Sequence, residues 1–320
     1  MTKDAATPDL LMPRFVIQPE EAESMGEDLG VADIRDLLPM LLPAARKLAR
    51  PPISGFHVGA AALGVSGRIY LGANVEFPGV PLHHSIHAEQ FLITNAALHA
   101  EQGIRFIAVS EFPCGHCRQF LQEIRSASKI QILITGGAGG TSGDFRPLSF
   151  FLPNPFGPAD LLPEHVPLIL ERRFNDLSEV EENREICDNG LGLVDERLRE
   201  AAFRAARASH APYSGSPSGF SLADSGGRVY AGSYTESAAY NPSLGPVQAA
   251  IVAYLVAGGG DDGGGVGEGI VAAALAEMEG APVSQEETAR VFLSAVAPKA
   301  RFSAYRLRPS AGVASMRRKN

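Results

Sequence analysis

Only three cysteines occur in 320 residues, and two of them sit three positions apart in "FPCGHCRQF" (residues 112–120). Pro113 precedes the pair, and the "CRQFLQEIRSA" that follows reads as a helix, so Cys114 and Cys117 fall at a helix start. Unpaired N–H groups and the positive helix end favour thiolates there. Two thiolates with this spacing can hold one tetrahedral zinc, with Zn–S near 2.3 Å as a rough guide. Taken alone, the pair fits a redox dithiol, half of a structural zinc site or chance. Upstream, "SIHAEQF" supplies His87 and Glu89. A structural zinc needs four protein ligands, and the sequence has no second CxxC; a catalytic zinc takes three and leaves a position for water. His87 supplies the third ligand, and Glu89 is close enough in sequence to bind that water and move its protons. Residues two apart on a regular helix point to different sides, so the way His87 and Glu89 converge stays open.

The remaining reactive side chains read more plainly. His116 lies inside the cysteine pair and is left out of the ligand set, because its neighbours hold the metal. His83 and His84, in "PGVPLHHS", read as solvated or as lining a cleft mouth. Cys187 reads as a plain free thiol, and Phe56, on its own residues, as ordinary core.

The elements that must position these groups come from an internal repeat. Residues 51–77 (PPISGFHVGAAALGVSGRIYLGANVEF) and 211–237 (APYSGSPSGFSLADSGGRVYAGSYTES) share Ser54, Gly55, Gly59, Gly67, Arg68, Tyr70, Gly72 and Glu76, each found again 160 positions later. A helical pattern precedes each copy, from Ile34 and from Val194, and a turn glycine before "R-I/V-Y" predicts a hairpin in both. In the first copy the order is helix, hairpin, helix (85–103), strand (104–110), helix, strand (129–135). That alternation predicts α/β layers on a mixed sheet, with "HAE" opening one helix and "PCGHC" the next. The proline-rich "FLPNPFGPADLLPEHVPLIL" joins the copies. Two glycine-rich tracts, 136–144 and 258–269, lack the ending of a phosphate loop and read as surface loops.

Bulk composition narrows the partners. The formal charge is −8, a poor match for the basic face a nucleic-acid duplex requires. The start carries carboxylates and no apolar core of a signal peptide, and no run reaches the roughly 18 apolar residues of a membrane span. An odd, sparse cysteine count argues against a disulfide framework and for reducing cytosol.

H-x-E followed by P-C-x-x-C is the signature of zinc nucleobase deaminases. With "HAEQ", "PCGHCRQF", "GANVEF" and "NPFGPADL", the chain from about Gly30 onward resembles cytidine deaminase in its long, two-domain, homodimeric form. The resemblance implies a three-layer α/β/α fold with a mixed β-sheet, duplicated in tandem. It divides the chain into an N-terminal arm (1–30), a catalytic zinc domain (31–150), a linker (151–185), a second copy without zinc ligands (186–312) and a basic tail (313–320). It implies one Zn²⁺ per chain on His87, Cys114 and Cys117, with Glu89 as catalytic proton shuttle. Asn74 and Glu76 would bond the ribose 3′-hydroxyl, Phe56 would pack on the pyrimidine, the Ala88 N–H would meet the base carbonyl, and Phe156 would be offered to the neighbouring subunit's site. The implied reaction is hydrolytic deamination of cytidine and 2′-deoxycytidine by a zinc-bound hydroxide, releasing ammonia in pyrimidine salvage. The partners are then a nucleoside and a second copy of the chain, with neither nucleic acid nor membrane. A zinc-binding pseudoenzyme and a redox dithiol remain as the competing readings.

Overall fold

The computed structural model describes residues 15–136, 144–180, 192–260 and 265–310. Cys187, the basic tail, most of the first glycine tract, the middle of the second and the first fourteen residues of the N-terminal arm lie outside them.

In chain order the first half runs β1 (Val16–Ile17), α1 (Pro19–Leu29), α2 (Leu37–Lys47), β2 (Gly59–Gly64), β3 (Ile69–Ala73), α3 (Ala88–Leu98), β4 (Ile104–Val109), α4 (Gly115–Phe120), β5 (Gln131–Ile134), β6 (Arg146–Pro147), α5 (Leu148–Phe151) and α6 (Pro158–Leu161). Its sheet has the order β1-β3-β2-β4-β5-β6, parallel only between β4 and β5. The second half runs β7 (Leu177–Glu179), α7 (Gly192–Ala208), β8 (Ser218–Asp224), β9 (Val229–Ser233), α8 (Pro246–Val256), β10 (Ile270–Met278), α9 (Glu286–Val296) and β11 (Arg301–Pro309). Its sheet, β7-β11-β10-β8-β9, is again parallel at one pair, β10 with β11. The duplicated mixed sheets that the repeat predicts are therefore present. No helix among the described residues is long and apolar enough to cross a membrane.

Strand alternation makes three layers. On β2, Ala60 and Ala62 face the core under α3, whereas Ala61 and Leu63 face the core under α1 and α2. Successive strand side chains point to opposite faces, so one strand serves two cores. In the second half, Phe220 and Leu222 lie with α8 and α9 while Ala223 lies with α7. Small side chains let the helices lie close, and Gly72 on β3 is the extreme case. A Cβ there would fall 2.2 Å from the Ala88 carbonyl oxygen and 2.7 Å from the Leu92 Cβ. Its repeat mate Gly232 has the same constraint: a Cβ would fall 2.0 Å from the Ala250 nitrogen. Gly67 and Gly227, at φ 86° and 77°, take the left-handed positions of the two hairpin turns.

Two local expectations are corrected. The helix after the cysteines ends at Phe120 rather than running on; the chain tightens into a 3₁₀ turn at Leu121–Glu123, and Ile124 then pairs with Ile169. His84 is not solvated: it is buried, with Nδ1 3.1 Å from the Gln248 Nε2 of the second half. His83 is exposed, as expected. The two halves also meet at Glu123, whose carboxylate is fully buried. It accepts from the Tyr213 hydroxyl (2.6 Å) and the Ala238 N–H (2.7 Å), with His210 Nε2 at 3.2 Å.

Gly72→Ala forces α3 away from the sheet. The expected cost is about 1–3 kcal/mol, the range for overpacking a tight contact, read as a lower denaturant midpoint. An unchanged midpoint contradicts the close approach.

Candidate functional site

The convergence of His87 and Glu89 follows from where the helix begins. His87 is not in α3 but caps it, in extended backbone (φ −80°, ψ 154°), and Glu89 is the second helical residue. The rule that residues two apart diverge on a helix therefore does not apply. Cys114 likewise caps α4 in extended backbone (φ −66°, ψ 168°), its sulfur 3.5 Å from the Cys117 N–H that it accepts. A strand-to-helix turn thus supplies each half of the site.

The ligand atoms meet. His87 Nδ1 lies 3.4 Å from Cys114 Sγ and 3.3 Å from Cys117 Sγ. Tetrahedral zinc at ordinary bond lengths separates a nitrogen and a sulfur ligand by about 3.6 Å, so one imidazole and two sulfurs here fit a zinc ion. His116 joins the cluster: ligand atoms of His87, Cys114, His116 and Cys117 all fall within 4.8 Å of one another. The sequence reading had set His116 aside.

Electrostatics distinguish the two sulfurs. The Cys114 thiol is lowered to about 3, first by the hydrogen bond it shares with Cys117, and also by His87. Cys117 moves the opposite way, well above the usual thiol range, because of that same hydrogen bond and its burial. The bond with Cys114 raises His87. Glu89 is buried, and burial raises its carboxyl above the ordinary range, against the pull of His87 and of a hydrogen bond with Cys117. A carboxyl raised in this way is a better proton acceptor than one in water.

Around this centre, the residues expected to hold a nucleoside brace one loop. Glu76 accepts from the Ile53 N–H (2.9 Å), the Ser54 N–H (2.9 Å) and the Ser54 hydroxyl (2.5 Å). Partial burial pushes its carboxyl up, but these donors hold it below its ordinary value. Asn74 accepts from the Val58 N–H at 2.8 Å and donates to the Phe56 carbonyl at 2.9 Å. Phe56 sits on that loop and is 54% exposed, so it is not core. Glu236 in the second copy repeats the pattern with Tyr213 and Ser214, so bracing needs no nucleoside. Tyr234, buried, stands in place of Asn74. Ala88 opens α3, where backbone N–H groups lack an intrahelical acceptor. Phe156 is exposed, its carbonyl bonded to Gln119 of α4.

Gln90 escaped notice in the sequence. It is fully buried, takes the His87 N–H on Oε1 at 3.5 Å and donates from Nε2 to the Pro242 carbonyl at 3.0 Å. One signal was available: a glutamine recurs at Gln248 once a two-residue gap is allowed, matching α3 from Ala88 to α8 from Pro246. In that register Gly245 and Val247 replace His87 and Glu89.

A sequence profile of the cytidine and deoxycytidylate deaminase zinc-binding region matches residues 33–134, and a second of the same description matches residues 148–290. The chain is 53% identical to cytidine deaminase 1 of Arabidopsis thaliana over 300 residues, 92% of this chain and 97% of that one. It is 47% identical to cytidine deaminase 6 of the same plant over 295 residues, 90% of this chain and 96% of that one. Among solved structures, the cytidine deaminase of Mycobacterium tuberculosis is 30% identical, with a TM-score of 0.33 over 38% of this chain and 96% of that one.

Zinc requires both sulfurs deprotonated, and the hydrogen bond with Cys114 and burial hold the Cys117 thiol well above its usual range. Titrating zinc into metal-free protein at pH 7 is predicted to release protons, measured by calorimetry in buffers of different ionisation heat. Apparent affinity rises with pH. Zinc binding without proton release contradicts Cys117 as a ligand.

Proposed function

Since the chain belongs to the cytidine deaminase family and is a zinc-dependent enzyme of that kind, we propose that His87, Cys114 and Cys117 hold the zinc and that Glu89 carries the protons of the reaction. The convergence of His87 Nδ1 on both sulfurs within 3.4 Å is the observation that supports this most directly. In this reading residues 31–150 form the catalytic unit and residues 186–312 the zinc-free copy. Zinc held there supplies a Lewis acid that brings the ionisation of water towards neutral pH. Glu89 takes a proton from the attacking water and gives it to N3 of the pyrimidine, which makes C4 electrophilic. After the water oxygen bonds to C4, Glu89 takes the second proton from that oxygen and passes it to the exocyclic amine, and the C4–N bond breaks to give uridine and ammonia. Burial of Glu89 favours this relay, because it raises the carboxyl above its ordinary range and makes the carboxylate a better proton acceptor.

The substrates are cytidine and 2′-deoxycytidine, in pyrimidine salvage. Phe56 is exposed on the braced loop and offers its ring to the pyrimidine, and the Ala88 N–H meets the base carbonyl. Asn74 and Glu76 meet the ribose 3′-hydroxyl. A carboxylate there accepts from a hydroxyl and repels a phosphate, so nucleosides are preferred to nucleotides. The active form is a homodimer in which the exposed Phe156 serves the neighbouring site. A site built on two free thiols suits the reducing cytosol.

Glu89→Ala is expected to retain zinc and to lose about 10²–10⁴ in turnover, the span of acid–base catalysis; the check is ultraviolet absorbance of cytidine beside a metal assay. An active Glu89→Ala protein sinks the relay. Cytidine monophosphate turned over as well as cytidine sinks the ribose clamp.

A further inference from the structure

Two polar side chains from the two zinc motifs reach the same loop of the zinc-free copy. Gln90 lies three residues after His87, and its amide joins the His87 N–H to the Pro242 carbonyl. His116 lies between the cysteines, with Nε2 3.0 Å from the Asn241 carbonyl. A carbonyl only accepts, so the imidazole proton sits on Nε2. Nδ1 is then a bare acceptor, buried and without a partner among the described residues. Consecutive carbonyls of one loop thus anchor both sides of the site.

That loop is itself held. Tyr240 takes a left-handed backbone (φ 61°), and its N–H bonds the Ser237 carbonyl at 2.8 Å. The Asn241 N–H bonds the Ala239 carbonyl at 2.8 Å, and Thr235 pairs with Leu244 across the base.

The Gln90 contact is half of a reciprocal pair. Gln248, its counterpart, reaches back to His84, which occupies the place of Pro242 in the first copy. The His116 contact has no such mirror image: the matching position on α9 is Glu287, which is exposed. The additional tether exists only on the side that carries the cysteines.

We infer that the Asn241–Pro242 loop of the zinc-free copy positions both zinc motifs, through Gln90 on the His87 side and through His116 on the cysteine side, with His116 a positioning residue rather than a fourth ligand. The inference rests on His87, Cys114 and Cys117 as the zinc ligands. Groups that orient metal ligands from behind carry about 10–100-fold in metal affinity or activity.

The test uses full-length, metal-loaded protein and the variants His116→Ala, His116→Asn, Gln90→Ala and the double alanine. Three properties are read: the visible spectrum of the cobalt-substituted protein, the rate of zinc transfer to a chelator, and kcat and KM for cytidine. His116→Ala is expected to keep the tetrahedral cobalt bands while zinc leaves about 10–100-fold faster and kcat falls by a similar factor at near-constant KM. Asparagine at 116 can donate to the same carbonyl and should recover most of both. The double alanine should cost less than the product of the singles, because both act through one loop. Altered cobalt bands in His116→Ala make His116 a ligand and overturn the inference. So does a wild-type zinc release rate and kcat. Should His116→Ala fail to fold, Gln90→Ala and His116→Asn carry the same comparison. A wild-type cobalt spectrum without a sulfur-to-metal band defeats the ligand assignment itself, which separates that failure from failure of the tether.

Discussion

Two sulfurs from one turn must come within 3.4 Å of an imidazole nitrogen from another, and the sheet is built to bring those turns together. His87 and Cys114 are both cap residues in extended backbone, so their side chains lie across the mouths of α3 and α4. β4 delivers the chain to the second mouth, and β3, through the bare backbone of Gly72, lets the first come down onto the sheet. The flexibility of long side chains is not used. Cysteine is short, and the imidazole is approached by sulfurs on one nitrogen, so the backbone must already be correct.

Contacts short in sequence were legible. The spacing of Cys114 and Cys117, the turn glycines and the duplication all left local patterns, and each reads through to the structure. What escaped depends on chain segments far apart. His84 looked like a loop residue until Gln248, 164 positions on, covered it. The roles of Gln90 and His116 rest on carbonyls 152 and 125 positions away, and a backbone carbonyl has no sequence signature at all. Phe56 was misread by its residue type alone, because a phenylalanine in an apolar run normally packs inside, whereas this one rides on a loop braced from behind.

Comparing the copies separates packing from chemistry within one chain. Gly72 and Gly232 meet the same steric demand, and Glu76 and Glu236 brace equivalent loops. The caps have diverged instead: Gly245 and Gln285 open α8 and α9 where His87 and Cys114 open α3 and α4. The two copies thus share what builds the layers and differ at the caps. The second copy can differ there and still matter, because its backbone presents carbonyls whatever side chains surround it.

Glu123 carries a consequence for the order in which the molecule can mature. Its buried carboxylate is satisfied by His210, Tyr213 and Ala238, which follow it by 87, 90 and 115 residues. A buried carboxylate without its donors costs several kcal/mol, so this corner of the first half stays wet while the chain is short. At a synthesis rate of about 5–20 residues per second, that interval is on the order of ten seconds. The metal-binding half emerges first from the ribosome but closes only after part of the second half has followed it.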